Sequence, residues 1–312
     1  MELFFATGNQ MIYLFALILI GYVLSKIGIL PNETAKALAT LENNVFIPAL
    51  VFGTFVGNFR VEKLKAAGIL FAFSFAILVV IIPLSVLIPR WITKDRDTRN
   101  IYTYGLAFSN FGFMGNSVFM ALFPDLFMEY LIFTLPLWIM IYLWGVPQLL
   151  IPDSKSSTVR SRLKKFLNPM LIGMLIGMLI GITGLTLPSP LTSAIQTLGN
   201  CMSPIAMILT GVVVSQIKLK KVFGDGTIYM VSVIRLILIP LVFIGIFALW
   251  NPSDTIVICA ICSLAMPLGL NTIVIPSAYG KDPTKAAGMA LISHLLSCIT
   301  IPLVFLLLQT IL

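Results

Sequence analysis

The 312 residues alternate long apolar runs with short polar breaks from one end of the chain to the other. A helix needs roughly 20 apolar residues to cross a bilayer. Runs of that kind fall near 8–28, 35–57, 66–89, 99–123, 127–150, 168–186, 191–215, 227–249, 254–279 and 286–311. The pattern predicts an all-α membrane protein of about ten transmembrane helices, with no stretch left over for a soluble domain. The first run follows Met1-Glu2-Leu3-Phe4-Phe5, which lacks the positive start of a signal peptide, so it is expected to remain as a membrane helix.

Composition agrees with this pattern. The chain is 59% hydrophobic and 10% charged, with mean hydropathy +1.03, whereas soluble proteins are about 45–50% apolar. A net charge of +8 could suggest an anionic polymer as partner, but the position of the cations gives a simpler account. The odd-numbered connections hold Lys26 and Lys36; Arg90, Lys94, Arg96 and Arg99; Lys155, Arg160, Arg162, Lys164 and Lys165; Lys218, Lys220 and Lys221; and Lys281 and Lys285. The even-numbered ones hold only Arg60, Lys63 and Lys65, and Arg235 lies inside the eighth run. Cytoplasmic loops carry the excess of Lys and Arg, so both termini are expected on the non-cytoplasmic side and nucleic acid is not expected as a partner. Cys201, Cys259, Cys262 and Cys298 all lie in apolar runs, where the sequence favours helix packing over a disulfide framework or a zinc site.

Sliding the chain along itself by about half its length reveals a repeat. Gly21 meets Gly177, Gly28 meets Gly184, Pro31 meets Pro188, Leu41 and Asn43 meet Leu198 and Asn200, Pro48 meets Pro204, Pro83 meets Pro240 and Asn116 meets Asn271. Gly, Pro and Asn fix backbone breaks, and these matches run in one order along four different segments. The division expected is 1–155 for a first five-helix repeat and 156–312 for a second. Five segments is an odd number, so the second repeat enters the membrane inverted, an organisation characteristic of secondary transporters.

In such carriers the substrate site lies near the bilayer midplane, where discontinuous helices expose backbone groups and helix ends. The fourth and ninth runs are the candidates. The fourth carries Ser109, Asn110, Gly112, Gly115, Asn116 and Ser117, and the ninth carries Met266, Pro267, Gly269, Asn271 and Thr272. Glycine lets the backbone unwind, proline removes a donor, and Asn or Ser can satisfy the groups so freed. The inward N-terminal ends of half-helices would favour an anionic ligand such as a carboxylate. Small residues in membrane helices also serve close packing, and that reading competes with the first. Asn43, Asn44 and Pro48 in the second run, with Asn200 and Pro204 in the seventh, are candidate cavity flanks or simply kinks. Three intramembrane ionisable residues are candidates for charge or coupling: Glu42, Arg235 and His294. Arg235 could hold a substrate anion or reach a lipid phosphate, and His294 could carry a proton or pack as a hydrogen-bonded side chain.

Four stretches together resemble the auxin efflux carrier (PIN-type) family, whose bacterial members are short permeases. They are Asn44-Val45-Phe46-Ile47-Pro48-Ala49-Leu50-Val51-Phe52; Phe108-Ser109-Asn110 through Phe113-Met114-Gly115; Asn168-Pro169 through Pro204-Ile205-Ala206; and Met266-Pro267 through Tyr279-Gly280-Lys281-Asp282. The resemblance implies the bile-acid/sodium symporter-like fold, with broken fourth and ninth helices crossing at the substrate site. It also implies transport of organic anions and gives a site role to Asn110, Pro267 and Gly269. Where relatives often have a proline after the glycine of the fourth helix, this chain has Asn116-Ser117, and the long cytoplasmic insertion of plant members is replaced by the short basic segment 151–167.

The reading that follows is a carrier for a small organic anion in the lipid bilayer, with a bacterial inner membrane as the expected location. No cofactor and no metal are expected. Oligomeric state is not legible, and a homodimer is compatible with the sequence. A passive channel, or a carrier of a neutral or cationic solute, stays open as the alternative. A membrane enzyme finds no H-E-x-x-H pair and no paired mid-membrane carboxylates. Sodium coupling lacks an acid in the crossover segments, while proton coupling through Glu42 or His294, or a uniport, is open.

Overall fold

A computed structural model describes residues 2–31, 33–151, 167–216, 224–269, 271–273, 284–310 and 312. Most of the basic segment at 151–167, the lysines at 218–221 and the Tyr279–Asp282 motif lie outside the described residues. The described chain is helical throughout, and its one bridge of β type is isolated. The helices are α1 (Glu2–Lys26), α2 (Thr34–Leu41), α3 (Ile47–Asn58), α4 (Leu64–Ile92), α5 (Arg96–Ala107), α6 (Asn116–Leu122), α7 (Phe127–Met140), α8 (Pro169–Thr183), α9 (Ser189–Asn200), α10 (Met202–Ser215), α11 (Gly226–Val233), α12 (Ile239–Trp250), α13 (Asp254–Leu264) and α14 (Thr284–Leu308). Wider π-type turns at Glu42–Phe46, Phe111–Gly115, Ile141–Leu150 and Ile234–Leu238 join or extend several of them.

Seven helical stretches are long and apolar enough to cross a membrane among the described residues, and three shorter apolar helices accompany them at Phe111–Leu122, Pro169–Thr183 and Asp254–Leu264. In a bilayer every backbone group must find its partner inside the protein, and a helix meets that demand within its own segment. The starts of the helices follow from local chemistry. Asp95 accepts from the Thr98 amide, Asn168 from the Leu171 amide and Asp225 from the Thr227 amide, each satisfying a first-turn donor that a helix leaves free. Large apolar side chains such as Ile12, Leu19, Val79, Leu179 and Val242 stay exposed on the outer surface, as lipid-facing positions require.

The helices pack in two groups. In the first, α1 lies along α10 and α3 lies along α8 and α9. In the second, α4 packs on α5 and α7, α11 packs on α14, and α13 sits against α7 and α12. The groups meet where α1 touches α14 and α6, and where α10 touches the Phe111–Gly115 turn.

Glycine governs the closest seams of the first group. A Cβ at Gly21 would stand 2.1 Å from the Ile208 carbonyl oxygen of α10, and one at Gly177 would stand 2.8 Å from the Phe52 carbonyl oxygen of α3. Only hydrogen fits at either place, so two pairs of backbones lie in contact, the small-residue packing expected where lipid gives no hydrophobic drive between helices.

Candidate functional site

Helix α5 stops at Ala107 because Phe108 and Ser109 turn extended, and the chain becomes helical again at Phe111. Helix α13 stops at Leu264, and Pro267 cannot continue it because it has no N–H. The two interruptions meet. Ser109 and Leu268 form an isolated antiparallel bridge, and the Asn110 amide donates to the Pro267 carbonyl at 2.7 Å. Each break thus supplies partners for polar backbone groups of the other.

Side chains complete the crossing. The Ser109 hydroxyl donates to the Ser263 carbonyl at 2.6 Å, and the Leu268 amide donates to the Ser293 hydroxyl at 3.1 Å. Gly269 lets its strand approach: a Cβ there would lie 3.3 Å from the Ser109 carbonyl oxygen. The Asn110 side-chain amide lies 3.3 Å from His294 Nε2, while His294 Nδ1 lies 2.7 Å from the Ala290 carbonyl. A carbonyl only accepts, so Nδ1 carries a hydrogen; the Asn110 amide nitrogen only donates, so Nε2 accepts. His294 thus orients Asn110 from one ring nitrogen while the other is held by the Ala290 carbonyl.

Arg235 is 1% exposed. Its Nη1 donates to the Leu106 carbonyl at 2.9 Å, Nη2 to the Ser263 carbonyl at 3.3 Å and Nε to the Met266 carbonyl at 3.4 Å. Leu106 lies in the last turn of α5, and Ser263 and Met266 flank the end of α13. The guanidinium thus ties the ends of both interrupted helices. This corrects one of the alternatives open in the sequence: the side chain does not snorkel to a lipid phosphate, because it points inward and is sealed.

The structure spreads the other candidates around this centre. Gly112 and Gly115 make room for aromatic groups, since a Cβ would lie 2.6 Å from the Trp138 ring and 2.3 Å from the Tyr130 hydroxyl respectively. Asn116 and Ser117 sit one turn into the resumed helix. The Ser117 hydroxyl returns to the Phe113 carbonyl, and Asn116 is buried, its backbone N–H donating to the Phe111 and Phe113 carbonyls. Asn271 lies beside the Tyr104 hydroxyl, and the Thr272 hydroxyl returns to the Gly269 carbonyl.

The second and seventh runs carry a separate set of features. Glu42 opens the π-type turn that packs against α8, α9 and α10; it is fully buried, and neither carboxyl oxygen has a hydrogen-bond partner among the described residues. Asn43 and Asn44 are exposed and bond back to the Ala39 and Thr40 carbonyls. Asn200 helps line a cavity of about 520 Å³ between α3, α9 and residues 184–187, with Arg60 and Gln196 in its wall, and no residue of the crossing lines it. Pro48 and Pro204 lie in the first turns of α3 and α10. A smaller space of about 260 Å³ between α1, α10 and α14 has Thr210 and His294 in its wall, so it shares a residue with the crossing.

The chain matches the family described as membrane transport protein over residues 7–305. It belongs to that family. This is the family its motifs resemble, and it makes the chain an integral membrane protein of transport. No curated protein matches the chain. In this transport protein, Ser263, Ser293, Leu106 and Tyr104 join the crossing without having stood out in the sequence. The only signal for the serines was a small hydroxyl inside an apolar run, beside Cys262 and His294 respectively.

Proposed function

We propose that the chain is a secondary carrier that moves a small organic anion, a carboxylate being the expected class, by alternating access at the crossing of the two interrupted helices. The observation that carries this reading is the bridge between Ser109 and Leu268, because two helix interruptions joined backbone to backbone inside a membrane protein need a reason beyond packing. Asn110, Pro267 and Gly269 are the residues expected to contact the substrate. Asn110 presents an amide held by His294, and the resumed helix Phe111–Leu122 directs its first N–H groups toward the crossing.

The organisation proposed is ten spans in two inverted repeats, 1–155 and 156–312, with both termini non-cytoplasmic and the protein in the plasma membrane. Contacts support the repeat. Gly21 approaches Ile208 as Gly177 approaches Phe52, and both members of the first contact lie 156 residues from their counterparts in the second. Gly28 and Gly184, the same distance apart, each carry positive φ after a helix end, at 80° and 69°. The packing of α1, α2, α3, α8, α9 and α10 as one group and of the remaining helices as another gives two bodies that can rock about the crossing.

The test is thermal unfolding of the purified protein with carboxylates, sulfonates, neutral amino acids and cations, followed by counterflow of any stabilising solute in proteoliposomes. Organic anions are expected to stabilise it, Asn110→Ala is expected to remove the effect, and counterflow is expected because a carrier exchanges where a pore does not. Stabilisation by cations or neutral solutes alone would overturn the substrate class.

A further inference from the structure

We propose that Arg235 determines the charge preference of the crossing, acting through the helix ends rather than by touching the substrate; the inference rests on the anion-carrier reading above. The argument begins with the ends that meet there. A helix end carries about half an elementary charge, positive at the N-terminus and negative at the C-terminus. The described ends are two C-termini, α5 at Ala107 and α13 at Leu264, and two N-termini, that of the twelve-residue helix Phe111–Leu122 and that of the helical turn beginning at Asn271. Their charges sum to about zero, so the helix ends by themselves give the crossing no preferred sign.

Arg235 supplies the sign. Its guanidinium lies on Leu106, Ser263 and Met266, the carbonyls of the two C-terminal ends, and its unit charge leaves the sum positive. Its partners matter as much as its position. A carboxylate would cancel the charge, and among the described residues Arg235 has no carboxylate partner, the described ion pairs being Lys63 with Glu129 and Lys285 with Asp225. Carbonyl dipoles hold the guanidinium in a fully buried place without neutralising it. Its donors reach three carbonyls, one on α5 and two at the end of α13, in the fixed planar fork that the ammonium of lysine lacks. The resulting positive field falls where Asn110 and the first amides of Phe111–Leu122 face the crossing.

Binding of matched neutral and ionised probes separates charge preference from scaffolding. Benzoate with benzamide, and succinate with succinamide, are titrated by thermal shift and calorimetry into the full-length wild type, Arg235→Gln and Arg235→Lys. In folded Arg235→Gln the preference for carboxylate over amide is expected to fall by roughly tenfold or more, the ordinary effect of one formal charge a few ångströms from an ionised group. Arg235→Lys keeps the charge and is expected to keep the preference within about twofold, even where it is less stable because the fork is lost. An unchanged preference in folded Arg235→Gln, or its loss in folded Arg235→Lys, overturns the assignment. Where the Gln variant does not fold, the Lys arm decides by itself. A wild type that binds neither carboxylate better than its amide would instead remove the anion reading, and the inference with it.

Discussion

The seam between α1 and α10 gives a prediction whose size can be worked from distances. A methyl group at Gly21 would sit 2.1 Å from the Ile208 carbonyl oxygen and 2.9 Å from its carbon, where ordinary contact begins near 3.4 Å. Both atoms are backbone, so no side chain can swing aside, and the two helices must part by more than an ångström along one of the longest contacts in the protein. Overpacking of this kind costs about 1–3 kcal/mol. It outweighs the gain of up to about 1 kcal/mol that alanine brings over glycine within a helix. Gly177→Ala faces a milder clash, 2.8 Å to the Phe52 carbonyl oxygen, and should lose less. Gly8 in the same helix as Gly21 has nothing within 4 Å of its would-be Cβ, so Gly8→Ala keeps the gain without the clash. The expected order of melting temperature in detergent is Gly8→Ala at or above wild type, then Gly177→Ala, then Gly21→Ala. A Gly21→Ala protein that melts as high as Gly8→Ala would refute the reasoning, because the seam would then have slack that the geometry denies.

Three further outcomes are expected. Ser293→Ala leaves the buried Leu268 amide without its acceptor and should cost about 1–3 kcal/mol, with recovery in Ser293→Thr; equal melting of the Ala variant and wild type would mean the amide finds another partner. Glu42→Met, at similar volume, removes two buried carboxyl oxygens that have no partners among the described residues, and should raise stability by about 1–3 kcal/mol; a lower melting temperature would show that the carboxyl is bound in the working protein. Burial of Asp225 opposes its ionisation, but hydrogen bonds from Lys285 and from the hydroxyl and amide of Thr227 outweigh it and hold the carboxyl below its ordinary 3.8. A lowered carboxyl contributes fully above about pH 4 and loses its contribution as pH falls through the folded value. Asp225→Ala should therefore cost about 1 kcal/mol at neutral pH, the usual worth of a helix N-cap, and the difference from wild type should shrink in acid; a difference constant down to pH 3 would contradict the assignment.

The features legible in the chain were those that local residues encode. Apolar run length marked the protein for a bilayer, since the requirement is one of length and polarity within a single segment. Ser109-Asn110 and Met266-Pro267 marked the helix interruptions, because proline lacks a donor and short polar side chains compete for the backbone wherever they stand. What those residues touch was not legible. Gly112 and Gly115 looked the same as Gly269 in sequence, yet the first two make room for Trp138 and Tyr130 while the third lies against Ser109. Position along its run left Arg235 between lipid and substrate, and only the packing of α5 and α13 around it turned it toward three carbonyls.

The sequence by itself thus determined the solvent of this protein and the places where its helices break. Tertiary structure decided which break meets which, that His294 orients Asn110 from 184 residues away, and that Arg235 closes on Leu106 across 129. Local propensities act over a few residues and leave a periodic trace. Contacts between distant residues leave none in a single chain, because any of many apolar faces could have been the one that covered them.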